Sequence, residues 1–199
     1  MANSPRQRLV LSAITLMCER GVHATGLTDL LTHSKTARAS IYQHFPDGKS
    51  ELMTEATYAA GRTISAMLED LLATRSPASA IAGMIDYWKQ VLTGSRYTMG
   101  CPILAAAQAA TEPEVQVASS AVFATWVDKI AAAIADQNRD PTRARAVASL
   151  AVSSIEGAIA QSRSAKSTQP LDDVHTVLTR LIAAETPPDP ADRPTEHAP

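Results

Sequence analysis

Tyr42, Phe45 and Lys49 lie in the stretch from Thr28 to Leu52, TDLLTHSKTARASIYQHFPDGKSEL, and their types and spacing suit the gripping of a polyanion. A tyrosine hydroxyl can donate to a phosphate. A phenylalanine three residues later can pack beneath the surface that carries it. A lysine just past a turn can neutralise backbone charge. The stretch reads as a short helix, a turn, and a second short helix ending in Ile41-Tyr42-Gln43-His44-Phe45; a turn at Pro46-Asp47-Gly48 follows, and a longer helix opens at Lys49. Such a helix-turn-helix places its second helix in the DNA major groove, where base edges are read. Any helical hairpin could carry a Tyr and a Phe, so the preceding segment gives the motif its weight.

Other chemistries find less support. Cys101 stands before Pro102, where a helix N-terminus would lower a thiol pKa. No Cys-x-x-Cys, metal-spaced His/Cys set or Ser-His-Asp order accompanies it, so an all-α enzyme is the weaker alternative and no cofactor or metal is expected. Cys18 and Cys101 form no framework of spacings, which fits a reduced cytoplasm. Leu9 to Cys18 is a largely apolar run after Arg6 and Arg8, but Glu19-Arg20-Gly21 follows it where a signal peptide would carry small residues. No stretch is expected to span a membrane.

The 199 residues suffice for one or two domains, burying roughly 70% of the unfolded surface. The chain is 45% hydrophobic but only 4% aromatic, and the abundance of alanine favours packed helices over a sheet. Residues 1–50 hold six Lys/Arg against three Asp/Glu, giving +3, while the remainder holds twelve against seventeen, giving −5. A basic head on an acidic body suits a head that meets a polyanion.

The positioning elements are then an all-α set of about nine helices. The first spans 5–20, with Val10, Ile14, Met17 and Gly21 on its apolar face, Pro5 in its first turn and Gly21 as its exit. The second runs about 27–34 with Leu27, Leu30 and Leu31 inward, and the third about 38–44. The fourth runs from Lys49 to about Arg75, and the fifth from Pro77 to about Leu92, where Thr93-Gly94-Ser95 breaks it. A sixth is expected at about 102–110 and a seventh at about 114–137. An eighth, about 141–163, starts at an Asp140 cap and Pro141. The ninth spans about 171–184. Residues 1–48 form the expected DNA-binding domain and 49–185 a helical second domain. The last fourteen residues, 186–199, hold five prolines and read as a disordered tail.

The first helix, a glycine exit, a helix-turn-helix and Tyr-x-His-Phe-x-x-x-Lys together resemble the DNA-binding domain of the tetracycline-repressor (TetR) family over residues 6–53. Met99-Gly100-Cys101-Pro102 and Pro46-Asp47-Gly48-Lys49 are similar to the branch that includes lincomycin-resistance-type repressors. Three positions depart from the family pattern. Lys35 stands where the turn usually has glycine, and a left-handed backbone there carries ~1 kcal/mol of strain. Gly26, flanked by Thr25 and Thr28, replaces the usual threonine that opens the second helix, and Ala39 replaces a small glycine.

The resemblance implies a cytoplasmic, ligand-responsive transcriptional regulator, most simply a repressor, that binds double-stranded palindromic operator DNA as a homodimer. Arg38, Ala39, Ser40 and Gln43 would face base edges, Arg pairing with guanine and Gln with adenine. Thr25 and Thr28 at the start of the second helix, with Tyr42, His44 and Lys49, would contact phosphates and set register. His44 is otherwise a packing residue. The last two helices would form the dimer, the eighth through Ala144, Ala148, Ala151, Ser154 and Ala158 and the ninth through Leu171, Val174, Leu178 and Leu181; the other reading gives these faces to the monomer core. A small-molecule pocket between the fourth and eighth helices would draw on Met84, Tyr87, Trp88, Met99, Cys101, Gln108, Phe123 and Trp126, residue types that serve equally in a core. Glu156 is either an orienting group in that pocket or a solvated residue. In a variant of the same scheme, oxidation of Cys101 replaces the effector.

Overall fold

Local signals for starting and stopping helices set the architecture. In the computed structural model, which describes residues 3–138 and 140–186, α1 (Pro5–Arg20) begins at Ser4, whose Oγ accepts the Gln7 N–H at 3.2 Å. The Gln7 side chain accepts the Ser4 N–H in return at 2.9 Å, so two orphan donors of the first turn are satisfied. α1 exits at Gly21 with φ 81°, a conformation that favours glycine. α2 (Leu27–Ser34) starts with Asp29 Oδ2 accepting the Gly26 N–H at 3.1 Å and ends at Lys35, which is left-handed at φ 53°. The expected strain is therefore present, because the turn keeps its geometry without glycine. α3 (Arg38–His44) and α4 (Lys49–Thr74) follow.

α5 (Pro77–Gly94) is capped by Ser76 and continues through Thr93 and Gly94, past the expected break. α6 (Pro102–Ala107) is shorter than expected, closing at Gln108. α7 spans Pro113–Asn138. α8 (Pro141–Ala165) starts at Asp140, which accepts the N–H groups of Thr142 and Arg143 at 3.0 Å each. α9 (Gln169–Glu185) is the last helix among the described residues, and the expected tail beyond Thr186 lies outside them.

Two buried clusters result. The head cluster joins Leu9, Ala13, Leu16, Met17, Leu30, Ile41 and Phe45 to Leu52, Met53 and Ala56 from the first turns of α4. Ala106, Ala109 and Val115, from the end of α6 to the start of α7, complete it, so the body reaches into the head. The inward face of α1 includes the expected Val10 and Met17 together with Leu9, Ala13 and Leu16, while Ile14 is only partly buried. The body cluster gathers Ile64, Leu68, Ile81, Ile85, Trp88, Trp126, Ile130, Ile155 and Ile159 with Leu171, Leu178 and Ile182 of α9. At Gly61 a Cβ would lie 2.5 Å from Val122 Cγ2, so α4 and α7 approach each other as closely as glycine permits.

One expectation is corrected by this packing. Ala144, Ala148, Ala151 and Ala158 of α8 are buried in the body core, as are Leu171 and Leu178 of α9, so these faces serve the monomer. α7 over Pro113–Asp136 is long and apolar enough to cross a bilayer, which the sequence reading had not anticipated. It packs against α4, α6 and α8 through one face, burying Val115, Ala118, Val122, Trp126, Ile130 and Ile134.

Candidate nucleic-acid interface and effector cavity

α3 is only seven residues long and owes its placement to its inner side. Ile41 is fully buried and Phe45 nearly so, with the Arg6 guanidinium 5.2 Å from the centre of the Phe45 ring. With these anchors inward, Arg38, Ala39 and Gln43 are exposed on the other side, Ser40 is half-buried, and Tyr42 is 50% exposed. Thr28 is exposed at the start of α2, and His44 is half-buried at the end of α3. Thr25 is different. It is fully buried and its hydroxyl donates to the Gly21 carbonyl at 2.7 Å, so its side chain braces the exit of α1 and is not at the surface for a phosphate.

The head's cations divide into paired and free. Arg6 pairs with Glu55, Arg20 with Asp29, and Lys49 with Glu112 at 3.8 Å, while Arg8 Nε donates to the Ser34 carbonyl at 3.0 Å. Among the described residues Lys35 and Arg38 make no ion pair, and they flank the start of the exposed helix. Lys49 thus faces a carboxylate of the α6–α7 turn, a partner that sequence spacing does not reveal.

In the body, a small cavity of about 30 Å³ lies between α4, α5, α7 and α8. Met84, Trp88, Trp126 and Glu156 line it together with aliphatic residues such as Ile64, Ile81 and Ile130, whose types do not distinguish a cavity wall from ordinary core. Trp126 Nε1 donates to Ser65 Oγ at 2.9 Å, and the Phe123 ring meets it edge-on at 5.4 Å. An open groove of about 520 Å³ runs outside, between α8 and the α6–α7 side, lined by Gln108, Phe123 and Glu156 among others. Glu156 and Val152 line both spaces and form the wall between them.

Glu156 is therefore an interior group, only 7% exposed. Burial pushes its carboxyl up to about 7, and a hydrogen bond with the Cys101 thiol opposes that rise. Burial and the neighbouring Glu156 in turn push the Cys101 thiol well above its ordinary value. Cys18 is pushed up to about 12, again by burial. The helix-terminus effect expected at Cys101 is thus overridden: both thiols are buried and protonated, the opposite of a reactive sensor. Tyr87 and Met99 are half-buried and line neither the cavity nor the groove, Tyr87 packing edge-on to Trp88 at 5.3 Å.

Cys101 also adjoins the seam between body and head. The Gly100 N–H donates to the Cys18 carbonyl at 2.9 Å, and Arg163 Nη2 donates to the Glu19 carbonyl at 2.8 Å and the Thr98 carbonyl at 2.7 Å. Arg163 therefore ties the end of α8 to the end of α1 and to the loop before α6. Nothing in its local sequence marks it, because both acceptors are backbone groups far away in the chain.

Comparison with known proteins agrees with this geometry. Residues 9–56 match the family described as bacterial regulatory proteins, tetR family, and residues 77–177 match the transcriptional regulator LmrA/YxaF-like C-terminal domain. The HTH-type transcriptional regulator Rv0196 of Mycobacterium tuberculosis is 36% identical over 190 residues, covering 92% of this chain and 96% of that protein. LmrA of Bacillus subtilis, an HTH-type transcriptional regulator, is 24% identical over 180 residues, covering 89% and 96%. Among solved structures, a TetR transcriptional regulator from Legionella pneumophila superposes with a TM-score of 0.81 at 20% identity, covering 91% of this chain and 98% of that one. A regulatory protein TetR from Rhodobacter sphaeroides gives 0.80 at 17% identity, covering 88% and 97%. With its helix-turn-helix head and its LmrA/YxaF-like body, the chain belongs to the TetR family of DNA-binding transcriptional regulators and is not an enzyme.

Proposed function

We propose that this regulator is a repressor that acts in the cytoplasm as a homodimer on palindromic operator DNA and is released by a small, largely apolar effector bound in the body. The observation that carries the reading is the outer face of α3, where unpaired Arg38 stands beside Ala39 and Gln43 over a rigid Ile41–Phe45 base. Arg and Gln are suited to bidentate pairing with guanine and adenine, and Ala39 to a thymine methyl. Lys35, Thr28, Tyr42 and Lys49 surround that face with phosphate-binding groups. A single α3 reads too few bases to select a site, which favours two copies with recognition helices about 34–36 Å apart.

The α8–α9 side supports such a pairing, with Leu150 49% and Val177 69% exposed. On α8 the exposed ridge runs through Ala146, Leu150, Ser153 and Gly157, the side opposite the core-facing alanines. Small residues there allow two helices to approach closely. The effector reading rests on the cavity and groove that meet at Glu156. The buried, protonated state of Cys101 favours an effector over a thiol switch.

Sedimentation velocity and electrophoretic retardation test the reading together. The protein should sediment as a dimer at micromolar concentration and retard its operator. A compound that releases that DNA should also alter Trp88 and Trp126 fluorescence. A monomer that retards DNA, or release that leaves both tryptophans undisturbed, would overturn it.

A further inference from the structure

The body cavity carries one polar group that folding leaves unsatisfied. Glu156 Oε2 is buried without a hydrogen-bond partner among the described residues, and it lines a cavity whose other walls are apolar. A carboxylate among apolar groups is strongly unfavourable unless an opposite charge meets it. Among the described residues no cation lines the cavity or the adjoining groove. When Glu156 is ionised, a cationic ligand is the partner that would satisfy it.

The surrounding walls suit the same ligand. Trp88 and Trp126 both border the cavity, and the faces of tryptophan rings attract cations. Trp126 has already given its indole N–H to Ser65, so what it offers a ligand is its ring surface. The cavity of about 30 Å³ is too small for an organic molecule, and the groove of about 520 Å³ behind Glu156 and Val152 is of ordinary ligand size. Joining the two requires that the Glu156 and Val152 side chains, which line both, yield.

We propose that Glu156 selects the effector by charge, and that the effector is a protonated amine on a compact aromatic skeleton, its N–H meeting Oε2 and its rings lying by Trp88 and Trp126. The inference rests on the reading of the body as an effector domain. An anion would be repelled by the carboxylate. A neutral molecule of the same shape would leave the charge unpaired. Since burial pushes the carboxyl up to about 7, the ionised form is available at pH 8 without a ligand, which makes that the pH at which charge selection is read.

The test uses two probes of matched shape, 1-naphthylmethylamine and 1-naphthalenemethanol, titrated into the full-length protein at pH 8 with tryptophan fluorescence as the readout. The amine should bind at least tenfold more tightly than the alcohol. In Glu156→Gln, with folding checked by circular dichroism, the amine's preference over the alcohol should fall within twofold. Equal affinities in the unmutated protein overturn the amine assignment and leave the effector reading standing. A preference that survives Glu156→Gln removes Glu156 from the role. Failure of both probes to bind overturns the amine site and the effector reading together.

Discussion

The Lys49 ammonium lies 3.8 Å from Glu112 Oε1, with the two side chains 26% and 20% exposed, and a DNA phosphate has to compete with that carboxylate. A half-exposed pair of this kind contributes about 0.2–1 kcal/mol. Glu112→Gln should therefore raise DNA affinity about two- to fivefold, most at low salt, as measured by fluorescence anisotropy; unchanged affinity would show that Lys49 does not bind phosphate. Lys49→Ala should weaken all sequences alike, whereas Arg38→Ala and Gln43→Ala should also relax base preference. Lys35→Gly should stabilise the fold by ~1 kcal/mol in chemical denaturation, because φ 53° strains a lysine. Glu156 produces a pH signature. The folded protein holds this proton up to about pH 7 whereas an unfolded carboxyl releases it near 4.5, so the group makes stability fall as pH rises between those values. The loss amounts to about 3 kcal/mol at most. Glu156→Gln should raise Tm by several degrees at pH 8 and leave it unchanged at pH 4.5, and an equal shift at both would contradict the burial argument.

Among the elements, α8 presents small residues on both sides, and this is where sequence and structure part. Ala144, Ala148 and Ala151 are buried in the core, while Ala146, Ser149 and Ser153 are exposed. Composition does not separate the two sides, because the core side is set by what α7 and α9 bring against it. Helix ends were readable for the opposite reason. Ser4 with Pro5, Ser76 with Pro77 and Asp140 with Pro141 act on their own first turns and need no distant partner. The motif of α2 and α3 was readable because its turn and its buried Ile41 and Phe45 lie within a few residues of one another. The Lys49–Glu112 pair and the Arg163 ties link residues far apart in the chain, and no local pattern encodes them. Leu150→Glu should convert the dimer to monomer in sedimentation velocity without lowering helicity, since Leu150 is exposed in the single chain. A variant that remained dimeric would move the interface off this ridge.

At the scale of the molecule, the cavity and the DNA-binding head are joined through backbone. Glu156 bonds the Cys101 thiol, the adjacent Gly100 N–H is bonded to the end of α1, and Arg163 clasps the same two segments. An effector bound at Glu156 Oε2 would sit beside the Cys101 bond and the loop that holds α1, and α1 packs on α2, α3 and α4. Arg163→Ala should leave effector binding intact while reducing the effector's ability to release DNA. A hundredfold effect on DNA corresponds to about 2.7 kcal/mol of coupling, and DNA must weaken the effector by the same factor. Whether the head reads a two-fold symmetric site is tested most directly by selecting random 30-base-pair duplexes with the full-length protein and sequencing the bound pool. The prediction is an inverted repeat with half-site centres separated by about one helical turn or a multiple of it. One guanine position in each half should lose its preference in Arg38→Ala. Enrichment of an asymmetric sequence, or no enrichment above the starting pool, would contradict the account.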